Sequence, residues 1–117
     1  MNIMIVGCGR VGSQLALLLS QEGHNVTVID KNQESFKRLG GTFNGVAAVG
    51  NGFDEKLLRE LKIEKQEAFV SVTAGDNTNL MASQIAKKIF KTGYFVYSKN
   101  TFKIEENKLI IPAYLVR

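Results

Sequence analysis

Apolar and polar positions along the chain switch between two periods. Residues 2 to 6 (NIMIV) and 25 to 30 (NVTVID) are short runs rich in β-branched residues and bounded by glycine or polar residues, the pattern of buried strands. Between them Val11, Leu15, Leu18 and Leu19 recur at helical spacing, and Gly23 stands where a helix C-terminus is expected. The spacing predicts a strand, helix, strand unit of about thirty residues.

The alternation continues. It predicts a helix over 32 to 39, a strand over 45 to 49, a helix over 54 to 62 opened by Asp54 as N-cap, and a strand over 67 to 72. After the loop TAGDN, a helix is expected over 77 to 91, with Leu80, Met81, Ile85, Ile89 and Phe90 on one side. Strands alternating with helices imply a doubly wound parallel sheet covered on both faces, a three-layer αβα domain of the α/β class. Beyond Lys91, GYFVYS reads as a fifth strand, and KLIIPAYLV reads as a sixth strand or as an irregular tail, because Pro112 restricts it to an edge. The polar KNTFKIEENK separates the two. The expected organisation is a core over 1 to 91 with 92 to 117 as a divergent tail of the same domain.

Composition narrows the picture. With 117 residues, 44% of them hydrophobic, the chain can bury one core and is too short for two ordinary domains. The net charge of +4 is unevenly placed: residues 1 to 90 carry 10 basic and 9 acidic side chains, residues 91 to 117 carry 5 and 2. No Lys/Arg cluster with interleaved aromatics appears, which argues against nucleic acid as a partner. The single cysteine, Cys8, excludes an intrachain disulfide and a cysteine-based zinc site and fits a reducing compartment. The apolar stretch LALLL is far shorter than a bilayer span, so a soluble cytoplasmic protein is expected.

The chemistry concentrates where the first strand gives way to the first helix. Gly7, Gly9 and Gly12 match the spacing G-x-G-x-x-G. There the first glycine permits a tight turn, the second lets the backbone approach a phosphate, and the third allows close helix packing. Free N–H groups at the helix start and the helix dipole attract an anion. A strand precedes the motif, a helix follows, and Asp30 ends the next strand, as a ribose-binding acid does. A phosphate loop is therefore favoured over a purely structural turn, and the fold is expected to be Rossmann-like.

Arg10, a cation in the first helical turn, opposes the dipole unless an anion answers it. It is either a phosphate ligand or a solvated surface charge. Asp30 should accept from ribose hydroxyls and repel a 2′-phosphate, which favours NAD(H) or an unmodified adenine nucleotide over NADP, although Lys31 could instead lie near a phosphate. Two further loops follow strands. GNG at 50 to 52 either borders an adenine or is an ordinary turn before a helix cap, and TAGDN at 73 to 77 either lines the distal part of the nucleotide or is such a turn.

No catalytic constellation is legible. His24, the sole histidine, sits in the turn before the second strand, at the opposite end of the sheet from the phosphate loop. Cys8 has no neighbour that would activate it and reads as packing. Asp54, Glu55, Glu64 and Glu67 belong to helix starts or solvent-facing loops. No metal site is implied.

The segments IMIVGCGRVGSQLALLLSQEGHNVTVID, VGNGFDEKLLRELKIEKQEAFVSVT and DNTNLMASQIAKKIF resemble the nucleotide-binding domain of Trk-type potassium-uptake regulators and regulators of potassium conductance. The resemblance covers about residues 1 to 91 and implies a Rossmann-fold regulatory domain that binds NAD or NADH, or alternatively ATP, ADP or AMP. It implies a homo-oligomer or a companion regulatory chain, on the cytoplasmic side of a membrane potassium transporter or channel subunit. Carried over, Gly7, Cys8, Gly9, Arg10 and Val11 form the phosphate loop and Asp30 the ribose acid. Asn51 and Gly52 border the adenine, and Thr73 with Ala74 lies near the rest of the nucleotide. Ser98 or Lys99 stands where the family has an arginine, and residues 92 to 117 do not match the family's C-terminal ligand-binding lobe, so either the tail is expected to have diverged or a companion chain to complete the assembly.

Three functional classes follow: a non-catalytic regulatory subunit coupling nucleotide occupancy to potassium flux, the cofactor-binding fragment of an NAD-dependent oxidoreductase, and an interaction scaffold with an empty loop. The first is preferred.

Overall fold

The chain is seen here as a computed structural model that describes residues 1 to 88 and the strand segments 94 to 96, 103 to 105 and 108 to 110. Strand β1 (Asn2–Val6) leads into helix α1 (Arg10–Gln21) and strand β2 (Asn25–Asp30). A 3₁₀ segment (Gln33–Leu39) connects to strand β3 (Val46–Val49), followed by helix α2 (Glu55–Glu60), a short 3₁₀ turn (Ile63–Lys65) and strand β4 (Ala68–Ser71). Helix α3 (Asp76–Lys88) and strand β5 (Tyr94–Val96) complete the main sheet. Its order is β3-β2-β1-β4-β5, and the four pairings in it are parallel. The order reverses at β1, between β2 and β4, where the C-terminal strand ends of a doubly wound sheet open a crevice.

Side chains of β1 divide by period two between the faces. Ile3 and Ile5 pack with Leu15, Ala16 and Leu19 of α1, with Val26 and Val28 of β2, and with Leu39. Met4 and Val6 pack on the other side with Leu58 of α2, Ile63, Phe69 of β4, and Ala82 and Ala86 of α3. Helical layers thus cover both faces, and β1, flanked on each edge, has no need of a polar position except at its first residue.

The expected elements appear with four differences. The segment over 32 to 39 winds as a 3₁₀ rather than an α-helix: Asn32 caps it by accepting from the Glu34 N–H at 3.1 Å, Ser35 N–H donates to the Asn32 carbonyl at 3.0 Å, and Gly40 at φ 68° ends it. The i+3 closure of the Ser35 N–H on the Asn32 carbonyl sets the tighter winding from its first turn. The helix opened by Asp54 stops at Glu60, because Lys62 takes the left-handed conformation (φ 62°) and a 3₁₀ turn follows. Among the described side chains of α3, Asn79, Ala82 and Ala86 are buried and Ile85 packs partly buried against the core, as expected of its apolar side, while Met81 is 50% exposed and departs from it. Finally, Lys108–Ile110 does not extend the parallel sheet. It pairs antiparallel with a strand inside the polar linker, β6 (Lys103–Glu105), as β7. Ile89, Phe90, Ser98, Lys99 and Pro112 lie outside the described residues.

Candidate functional site

The strand ends at the order reversal form a cleft of about 350 Å³. Its floor is the turn from β1 into α1. Gly7 has φ 107°, its N–H donates to the Ile29 carbonyl at 2.7 Å, and a Cβ on it would meet Thr73 N at 2.9 Å. A Cβ on Gly12 would collide with the Gly7 carbonyl oxygen, so these two glycines serve close backbone packing. Gly9 differs: nothing lies within 4 Å of the position its Cβ would take, and it is the N-cap of α1 with no side-chain cap and no acidic residue in the first turn. The start of α1 therefore keeps donors and positive dipole potential without an anion of the protein's own.

Asp30 closes β2 on one wall. Its Oδ2 accepts from the Cys8 N–H and its Oδ1 from the Asn32 N–H, both at 2.8 Å. Its carbonyl accepts from the Gly50 N–H at 3.1 Å. The acid thus ties together the glycine loop, the turn after β2 and the loop after β3, while each carboxylate oxygen keeps a lone pair for a further donor.

The opposite wall is organised by Asn79, which is fully buried. Its Oδ1 accepts from the Thr73 N–H at 2.8 Å, the Thr73 hydroxyl at 2.7 Å and the Ser71 hydroxyl at 3.1 Å, and its Nδ2 donates to the Thr73 carbonyl at 3.0 Å. A hydroxyl has one proton, so that of Thr73 goes to the nearer Asn79 Oδ1 rather than to the Gly75 carbonyl at 3.1 Å, and its oxygen accepts from the Gly75 N–H.

Of the residues singled out from sequence, Gly7, Gly9, Asp30, Lys31, Asn51, Gly52, Thr73 and Ala74 line the cleft. Cys8, Arg10, Val11 and Gly12 do not. Gly12 packs behind the loop and Arg10 is exposed at the helix start. Cys8 is buried, with its thiol toward the Ser35 carbonyl at 3.4 Å. Burial, and secondarily the charge of Asp30, push that thiol up to about 11, against a smaller opposing effect of Arg38. It is not a nucleophile at neutral pH. His24 lies at the far end of the sheet, where its Nδ1 faces the Met1 amino group at 3.0 Å.

Sequence reasoning missed Ser35, Arg38 and Thr78 on the cleft wall and Asn79 behind it. No signal in the sequence distinguishes the first two from a solvated helix face, and Asn79 lay inside the helix expected over 77 to 91 with nothing to mark its role. Among the described residues there is no cluster of His, Cys, Asp and Glu fit to hold a metal ion, and no helix is long and apolar enough to cross a membrane.

Comparison with known proteins agrees with this geometry. The TrkA-N domain model matches residues 3–109. The Trk system potassium uptake protein TrkA of Streptomyces coelicolor is 51% identical over 90 residues, covering 77% of this chain and 40% of that protein. The TrkA homolog of Pyrococcus abyssi is 34% identical over 89 residues, covering 76% and 39%. The chain thus spans about two fifths of the length of these relatives. Among solved structures, the AMP-bound form of the Kef CTD of Shewanella denitrificans superposes with a TM-score of 0.65 at 17% identity, over 84% of this chain and 56% of that one. The Bordetella bronchiseptica enzyme WbmH in complex with NAD+ also gives 0.65, at 27% identity, over 82% and 38%.

Proposed function

The chain belongs to the TrkA-N domain family, and on that premise we propose that it is a non-catalytic regulatory subunit of a potassium transport system whose cleft binds NAD(H) or, alternatively, ATP, ADP or AMP. The observation that carries the reading is the start of α1: an uncapped helix end behind an open Gly9, facing a cleft whose other wall ends in the carboxylate of Asp30. A diphosphate supplies the missing cap, and ribose hydroxyls fill the remaining lone pairs of the acid. The names of the relatives support potassium uptake as the process served, and the NAD+ complex of WbmH supports a dinucleotide as ligand.

In this reading the domain works on the cytoplasmic side of the membrane, against a potassium transporter or channel subunit, as a homo-oligomer or with a companion regulatory chain. Occupancy acts on flux only if the nucleotide binds two arrangements of the assembly with different affinity. Calorimetric titration with NAD, NADH, ATP and ADP tests the binding step. Saturable binding that Asp30→Ala and Gly9→Val weaken is expected, and no binding by the unmodified protein, or equal binding by the variants, overturns it. A second reading, the cofactor-binding fragment of an NAD-dependent oxidoreductase, draws on the likeness to WbmH. Hydride transfer on mixing with a substrate domain encoded nearby would favour it.

A further inference from the structure

The wall that follows Asp30 carries donors besides those of the glycine loop. Lys31, Ser35 and Arg38, from the turn after β2 and the 3₁₀ segment, all line the cleft. The Lys31 and Arg38 side chains are exposed and make no ion pair among the described residues. The acid nearest them within the segment, Glu34, is already paired with Lys37 at 2.6 Å. Asp30, the one carboxylate in the cleft lining, has an N–H bond on each oxygen, which spreads part of its charge into the backbone. One carboxylate with two unopposed cations and a hydroxyl gives this end of the cleft a net positive sign, the reverse of a site that relies on an acid to exclude phosphate.

We propose that Lys31, Ser35 and Arg38 form a second anion-binding wall beside Asp30, which takes a phosphate ester on the adenosine ribose, so that the cleft accepts a 2′-phosphorylated dinucleotide as well as the unphosphorylated one. This rests on the nucleotide reading of the cleft. Lys31 supplies a mobile point charge, Arg38 a planar fork of donors and Ser35 a hydroxyl, a set suited to three phosphate oxygens.

Titration of the full chain with NADH and NADPH in parallel, for the unmodified protein and for the double variant Lys31→Gln/Arg38→Gln, tests it. The unmodified protein should bind NADPH within about tenfold of NADH, and the double variant should shift the ratio against NADPH by about tenfold or more, the effect of losing charge-assisted hydrogen bonds. A preference of the unmodified protein for NADH beyond that limit, or a ratio the double variant leaves in place, overturns the proposal while the nucleotide reading stands. Binding of neither ligand removes both. Both substituted side chains are exposed, and the NADH titration shows in the same experiment that the variant retains a cleft.

Discussion

The Cys8 N–H donates to Asp30 Oδ2 at 2.8 Å, so the carboxylate that ends β2 is bonded to the loop that begins α1. This acid is therefore structural before any ligand arrives. Asp30→Ala should cost about 1–3 kcal/mol, because it leaves the partly buried Cys8 N–H unsatisfied, whereas Asp30→Asn keeps one acceptor and should cost less. Urea unfolding of the two variants checks the order. Loss of nucleotide binding in Asp30→Ala then has two contributions, loop disorder and a missing ribose partner, and the Asn variant separates them.

The motif glycines should divide in the same assays. Gly9→Ala meets nothing within 4 Å and has φ −79°, so stability should hold or rise by up to about 1 kcal/mol while nucleotide affinity falls. Gly7→Ala forces a side chain into φ 107° and against the backbone of Val72 and Thr73, just past β4, and should destabilise by about 1–3 kcal/mol. Thermal melts beside calorimetric titration would show the split. If Gly9→Ala melts as early as Gly7→Ala, the open space at Gly9 does not exist in solution.

Much of this was legible in the sequence, for physical reasons. β1 is apolar at nearly every position because both its faces are covered, and the glycine spacing follows from two backbone approaches closer than any Cβ allows. What stayed hidden depended on geometry that side-chain pattern does not encode. Seven residues over Gln33–Leu39 carry too little periodicity to tell a 3₁₀ from an α-helix, and Arg38 looks like any exposed cation until that winding turns it to the cleft. Strand β6 lay in a stretch whose polarity argued for a linker, while its partner β7 opens the segment expected as a sixth strand or an irregular tail.

Asn79 provides a third prediction. Asn79→Ala removes acceptor and donor from Thr73 and Ser71 at once, in a fully buried place, and should lower stability by about 1–3 kcal/mol. Chemical denaturation measures the loss. Nucleotide affinity should fall in step, although Asn79 itself does not line the cleft.

Cys8 should be inert in the folded protein. With its thiol pushed up to about 11 by burial and Asp30, the rate of modification by a disulfide reagent at pH 8 should be far below that of the urea-unfolded chain. The folded value lies above the ordinary 9.0, so the native state holds the proton more firmly than the unfolded one. This contribution to stability is fully present below pH 9 and is lost as pH rises toward 11. Unfolding midpoints across that range check the sign, and Cys8→Ser should flatten the slope.

The central position of β1 also sets an order of assembly. Its partner on one side, β2, follows after a single helix, but its partner on the other, β4, does not begin until Ala68. On a growing chain the glycine loop and Asp30 can meet early, while Thr73 and its side of the crevice arrive only when most of the domain has emerged. That pairing spans the longer stretch of chain and closes the larger loop, and a ligand that needs both walls can recognise the domain only after it.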